Sequence, residues 1–125
     1  MARYQRYPEM QIVAHKLRGM GYIVTSRWIL GEHQASDAAI GTGTLGALEA
    51  QFARDDIEDL RQADLCVGFS EPMRAPCRGG RFVELGMALA WGKRILVVGG
   101  REHVFHALPE IEHVPDTESL YTLLV

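Results

Sequence analysis

Gly79-Gly80-Arg81-Phe82-Val83-Glu84-Leu85-Gly86-Met87-Ala88-Leu89-Ala90-Trp91-Gly92-Lys93, followed at once by Arg94-Ile95-Leu96-Val97-Val98, reads as a glycine turn, a helix and a buried strand. The paired glycines let the backbone turn tightly, and the helix they open ends at Gly92-Lys93. The strand is a short apolar run closed by Gly99-Gly100, the pattern of a strand covered on both faces. A helix feeding such a strand is the repeating unit of a parallel α/β sheet.

Working outward, Asp64-Leu65-Cys66-Val67-Gly68-Phe69 predicts a second strand, followed by a loop over residues 70–80. Ahead of it, Leu45, Leu48, Phe52, Leu60 and Ala63 line one side of a helix over residues 44–63, and the polar, glycine-rich residues 31–43 form a loop. Pro8 suits a first helical position, and Met10, Val13, Ala14, Leu17 and Met20 follow at helical spacing until Gly19 and Gly21. Tyr22-Ile23-Val24-Thr25-Ser26 is β-branched and short, so it predicts another strand buried on both faces. A weaker strand falls near His113-Val114, and Pro115-Asp116-Thr117 starts a last helix through Leu120, Leu123 and Leu124. The alternation predicts a three-layer α/β sandwich, flavodoxin- or Rossmann-like, with a parallel sheet of 4–5 strands and ligands at their carboxyl ends. Only Met1-Ala2-Arg3-Tyr4 stands well clear of the first helix, so the opening strand is expected to be short or missing. Either the start lies upstream of Met1, or the sheet makes do with a stub or borrows an edge from another subunit.

A chain of 125 residues with 47% hydrophobic content is one domain, residues 1–125, with enough apolar surface for a core. With 13 basic against 16 acidic residues it carries no electrostatic footprint for a nucleic-acid polymer or an anionic membrane. Cys66 and Cys77 make neither a metal-ligand spacing nor a disulfide framework, which fits reduced thiols. No apolar run approaches the roughly 18 residues of a membrane span, and the N-terminal residues lack the apolar core of a signal peptide. The expectation is a soluble cytoplasmic protein with no metal and no cofactor.

Two carboxylates stand out. Glu84 lies in or near the first turn of an apolar helix, where Arg81 is the sole cation at helical pairing distance, and the glycine turn offers unpaired N–H groups to an anion. Its plain alternative is a solvent-facing acid favoured by the helix dipole. Asp56 falls near the centre of the apolar stripe between Phe52 and Leu60, while Asp55 and Glu58 turn to solvent and Asp59 sits on the flank as a simple exposed charge. Asp56 reads equally as one imperfect helix position or as a carboxylate bonded to loop backbone. Arg27, Trp28 and His33 follow residues 22–26 at the expected ligand edge, where Trp28 either stacks on a base or packs into the core. His103 and His106 fit capping or surface roles, and Gly41-Thr42-Gly43-Thr44-Leu45-Gly46 matches the dinucleotide-binding glycine pattern without the strand it needs.

Asp56-Ile57-Glu58-Asp59-Leu60-Arg61-Gln62-Ala63-Asp64, with Gly79-Gly80 and the run from Glu84-Leu85-Gly86 to Lys93, resembles the nucleoside 2-deoxyribosyltransferase family, including its deoxynucleoside 5′-monophosphate N-glycosidase branch. The likeness covers residues 50–100. It implies the same α/β sandwich, a homo-oligomer with sites completed across subunits, Glu84 as the nucleophile at the sugar's anomeric carbon, and Asp56 assisting the nucleobase. Relatives carry a tyrosine in the opening strand that has no counterpart here. Arg78 stands where the transferases tend to have an acid and the monophosphate hydrolases a serine, and with the Gly79 and Gly80 amides it would cradle a 5′-phosphate. The resemblance thus implies hydrolysis of the base–deoxyribose bond of a deoxynucleoside monophosphate, with base exchange, or a non-catalytic nucleotide sensor, as alternatives. Apolar residues on two sides of the Glu84 helix, Val83, Met87 and Trp91 against Phe82, Leu85 and Leu89, leave one face for a second subunit.

Overall fold

The computed structural model describes residues 1–30, 46–72 and 79–125. Residues 31–45, which include His33 and most of the dinucleotide-like pattern, and residues 73–78, which include Cys77 and Arg78, lie outside the described residues.

Four helices, α1 (Tyr7–Gly19), α2 (Gly46–Gln62), α3 (Gly80–Ala90) and α4 (Thr117–Leu124), surround three strands, β1 (Leu65–Phe69), β2 (Arg94–Val98) and β3 (Ile111–Val114), among the described residues. The sheet is parallel throughout in the order β1-β2-β3, with Val67 opposite Leu96 and Leu96 opposite Glu112. β2 is the central strand, and Ile95, Leu96 and Val97 are each at most 1% exposed. Side-chain alternation divides the core in two. Leu96, Val98, Phe69 and Val114 face Met10, Val13 and Ala14 of α1 and Leu120 and Leu124 of α4. Cys66, Ile95, Val97 and Ile111 face Leu60 of α2 and Leu85 and Ala88 of α3. The layers expected from the alternating pattern are therefore present, with α1 and α4 on one face and α2 and α3 on the other.

Local chemistry sets the element ends. Pro8 opens α1, and Asp116 caps α4 by accepting the Ser119 N–H at 2.8 Å. Gly79 begins α3 in the left-handed region, at φ 91°, where only glycine is at ease.

One expected strand is absent. Residues 22–26 form no strand, and Ile23, expected to be buried, is 91% exposed. A strand needs a neighbour to exchange hydrogen bonds with, and among the described residues the place beside β1 is held by a single one. Ser70 N–H bonds Val98 O in β2, whereas on the opposite edge of β1 the Met1 ammonium donates to Val67 O at 3.0 Å and Phe69 N–H donates to Met1 O at 2.8 Å. Met1 is thus one rung of a parallel ladder, the stub expected from the short N-terminal segment. Residues 22–26 are held by side chains instead. Tyr22 donates to Leu124 O at 2.6 Å and Thr25 to Asp59 O at 2.8 Å.

Candidate active site

The strands of a parallel sheet end together, and their carboxyl ends are pinned here by backbone. Ser70 N–H reaches Val98 O at 3.0 Å and Gly99 N–H reaches Val114 O at 2.8 Å. A cavity of about 20 Å³, room for about one water, opens there among Met1, Ser70, Arg81, Phe82 and His106.

Glu84 opens the second turn of α3, and its side chain is 22% exposed. Its neighbour is not Arg81. The Met1 ammonium, on a residue whose side chain is 6% exposed, lies 4.0 Å from Glu84 Oε2, so the cation comes from the rung beside β1. Arg81 points elsewhere because it is buried and bound to Glu102. Glu84 also acts on Cys66. Burial pushes the Cys66 thiol above its ordinary value, the ammonium and Lys93 oppose this, and the Glu84 carboxylate adds to it.

Asp56 lies past the middle of α2 and is half-buried, one turn before Leu60, whose side chain shares a cluster with Leu85. The structure thereby puts Asp56 and Glu84 on neighbouring helices of one layer. The deeper carboxylate of α2 is Asp59, at 6% exposure, contrary to its expected place as an exposed flank charge. It accepts the Arg27 backbone N–H at 2.8 Å and the Arg27 Nε–H at 2.7 Å. Arg27 also approaches Asp55 Oδ1 at 3.6 Å, and Asp59, Asp55 and Asp56 together hold its guanidinium above its ordinary pKa. The 100° rule places Asp59 toward solvent because it cannot see the segment at residues 25–27 that covers this side of the helix. Asp59→Ala removes both bonds and strands the Arg27 N–H, so thermal unfolding is expected on the order of 5–10 °C lower.

Gly79 and Gly80 form the start of α3. Gly79 O accepts from Phe82 N–H at 3.0 Å, and among the described residues a Cβ built on either glycine would meet nothing within 4 Å. Arg78, expected beside them, lies outside the described residues. Trp28 lies in the 3-10 turn Arg27–Leu30, half-buried against the cluster of α1 and α4. The structure places it in that packing.

Neither charge patterning nor periodicity points to the network beside the cavity. Glu102 follows β2, and its carboxylate accepts Arg81 Nη1–H at 2.6 Å, Arg81 Nη2–H, and the Glu71 N–H at 3.0 Å. Burial pushes the Glu102 carboxyl up, but the guanidinium and the Glu71 amide outweigh it and hold it below the usual range. Glu102 N–H donates to His106 Nδ1 at 3.0 Å, and the His106 ring lies 3.9 Å from that of His103. His106 is 4% exposed, so of the two roles expected for it, capping or surface, the surface one does not hold. A lone histidine between loop residues carries no periodic signal of burial; only the nearby strands reveal it.

Burial and the adjoining His103 push His106 down to about 4. A depressed histidine pKa means that the folded state binds fewer protons than the unfolded chain. Its contribution is complete above the unfolded value of about 6.5 and is lost as pH falls through about 4. Protonated Nδ1 can no longer accept the Glu102 N–H. His106→Asn keeps an acceptor and removes the titration, so between pH 7 and pH 4 its Tm is expected to fall by several degrees less than that of the wild type.

No protein-family profile, curated protein or solved structure matches the chain. Among the described residues no helix is long and apolar enough to cross a membrane, and no cluster of His, Cys, Asp or Glu could hold a metal ion.

Proposed function

We propose that the chain is an N-glycosidase of the nucleoside 2-deoxyribosyltransferase type, cleaving the base–deoxyribose bond of deoxynucleoside 5′-monophosphates. The observation that carries the reading is Glu84 on α3, 4.0 Å from the Met1 ammonium and one turn after the glycine start of that helix. In this reading Glu84 Oε attacks the anomeric carbon as the bond to the base nitrogen breaks, and the base leaves with a proton supplied or positioned by Asp56. Water then attacks the glycosyl ester, returns Glu84 as carboxylate, and releases deoxyribose 5-phosphate. The Gly79 and Gly80 amides, with Arg78, take the phosphate.

The same reading makes the protein a cytoplasmic homo-oligomer that needs no cofactor. Exposed Val83 and Trp91, at 63% and 40%, support an association face on α3. It also takes the sheet as one of 4–5 strands, with the Met1 rung marking an edge strand beside β1.

Release of free base, followed by chromatography over a panel of deoxynucleosides and their 5′-monophosphates, tests the proposal. Preference for monophosphates supports hydrolysis at this site, and exchange with an added second base replaces it with transfer. Nucleotide binding with no release from any substrate reduces the protein to a sensor.

A further inference from the structure

We infer that the buried Arg81–Glu102 pair is a positioning device that fixes the rotation of α3 and so the placement of Glu84. The inference rests on the reading of Glu84 as the nucleophile. Below its first turn α3 is held to the sheet by Leu85 and Ala88, and apolar contacts of this kind are non-directional. They resist separation better than they resist rolling. The directional contact is at Arg81, three residues before Glu84. Both partners are buried, with side-chain exposures of 6% and 8%, and the guanidinium meets both carboxylate oxygens.

Glu102 is itself anchored from several sides. The Glu71 N–H after β1 and the His106 ring both bond it, and His106 O is in turn 2.7 Å from His113 Nε2 of β3. Phe82 completes the clamp, with the Arg81 guanidinium carbon 4.4 Å from its ring centroid and His103 edge-on at 4.7 Å. One residue of α3 is therefore referenced to the ends of all three strands. Exchanging a buried ion pair for apolar groups is often neutral or stabilising, so stability alone does not call for this one. Geometry does. A side chain lies about 5–6 Å from the helix axis, so a roll of about 10° moves the Glu84 carboxylate by roughly 1 Å, a displacement that can cost about a hundredfold in rate.

The test measures kcat and KM for base release in wild type, Arg81→Met/Glu102→Gln and Arg81→Lys, with Tm alongside. The glutamine of the double variant would still accept the Glu71 N–H, and both charges are removed together, so Tm is expected within about 5 °C of wild type. Its kcat is expected to fall about 50-fold with KM within about threefold, because docking of substrate is kept and alignment is lost. Arg81→Lys keeps the charge and loses the two-pronged contact, and kcat is expected about tenfold down. A folded variant with kcat within about threefold of wild type overturns the inference; if the double variant fails to fold, Arg81→Lys decides by the same criterion. Wild type that releases no base from any substrate is a different result, since it removes the proposed function itself.

Discussion

Glu84→Gln is expected to abolish base release, lowering kcat by about a thousandfold or more while leaving the fold intact. The amide keeps the shape of the side chain, which is 22% exposed beside the Met1 ammonium, so packing along α3 changes little. What it loses is the nucleophile. Without a carboxylate no glycosyl ester forms, and the single difficult displacement can no longer be divided into two easier ones. The amide is also unable to offset charge developing on the sugar. Asp56→Asn should be milder, about a hundredfold, because it removes a proton donor or an orienting bond rather than the attacking atom. Chromatographic assay of both variants at saturating substrate separates the roles. A Glu84→Gln protein retaining a tenth of wild-type kcat would mean that the chemistry is not carried by this carboxylate.

Gly99→Ala is expected to be the most destabilising methyl group that can be added at a described glycine, at about 3 kcal/mol or more. Gly99 has φ 110°, where side chains of L-residues are strained, and the strain alone is worth about 1–3 kcal/mol. A Cβ there would collide with Ser70 Oγ, well inside the distance at which two such atoms can stand. The hydroxyl cannot swing away at no cost, since it donates to Val98 O at 3.3 Å. Backbone relief is blocked too, because Gly99 N–H is committed to Val114 O. Chemical denaturation should show the loss as a lower midpoint with unchanged slope. Gly99→Ala/Ser70→Gly removes the collision but not the φ strain, so it should recover part of the loss. Full stability in the single variant would show that the β1 and β2 ends do not approach this closely.

Most of the framework can be read from periodicity, because α1, α3, β1, β2 and α4 each carry their own apolar pattern and their own caps. Pro8, Gly79, Gly92 and Asp116 stand where the helices begin or end for reasons internal to each segment. Residues 22–26 show where this kind of reading fails. Their composition is that of a strand, but a strand is a relation between two segments, and the second is one residue long. The candidate site divides in the same way. Glu84 and the glycine turn are local features, legible on one helix. Helical spacing pairs Arg81 with Glu84 because it sees only i±3 and i±4 neighbours, while the actual partner Glu102 stands 21 residues away. It misplaces Asp59 for the same reason: the partner Arg27 is 32 residues distant.

The strand order β1-β2-β3 is also the order of synthesis, with a consequence for how the molecule acquires its structure. Each pairing joins consecutive strands, so residues 65–114 can assemble from contacts of short sequence separation, at small loop-closure cost. Residues 1–30 join that unit through bonds that span much of the chain, such as Met1 to Val67 and Arg6 to Ser70. The β-sheet pairings are thus the contacts of small closure cost, and those of the N-terminal segment are the contacts of large closure cost. Because the ammonium beside Glu84 belongs to the segment joined by these long-range bonds, the electrostatic setting of the carboxylate depends on contacts of large loop-closure cost in the described fold.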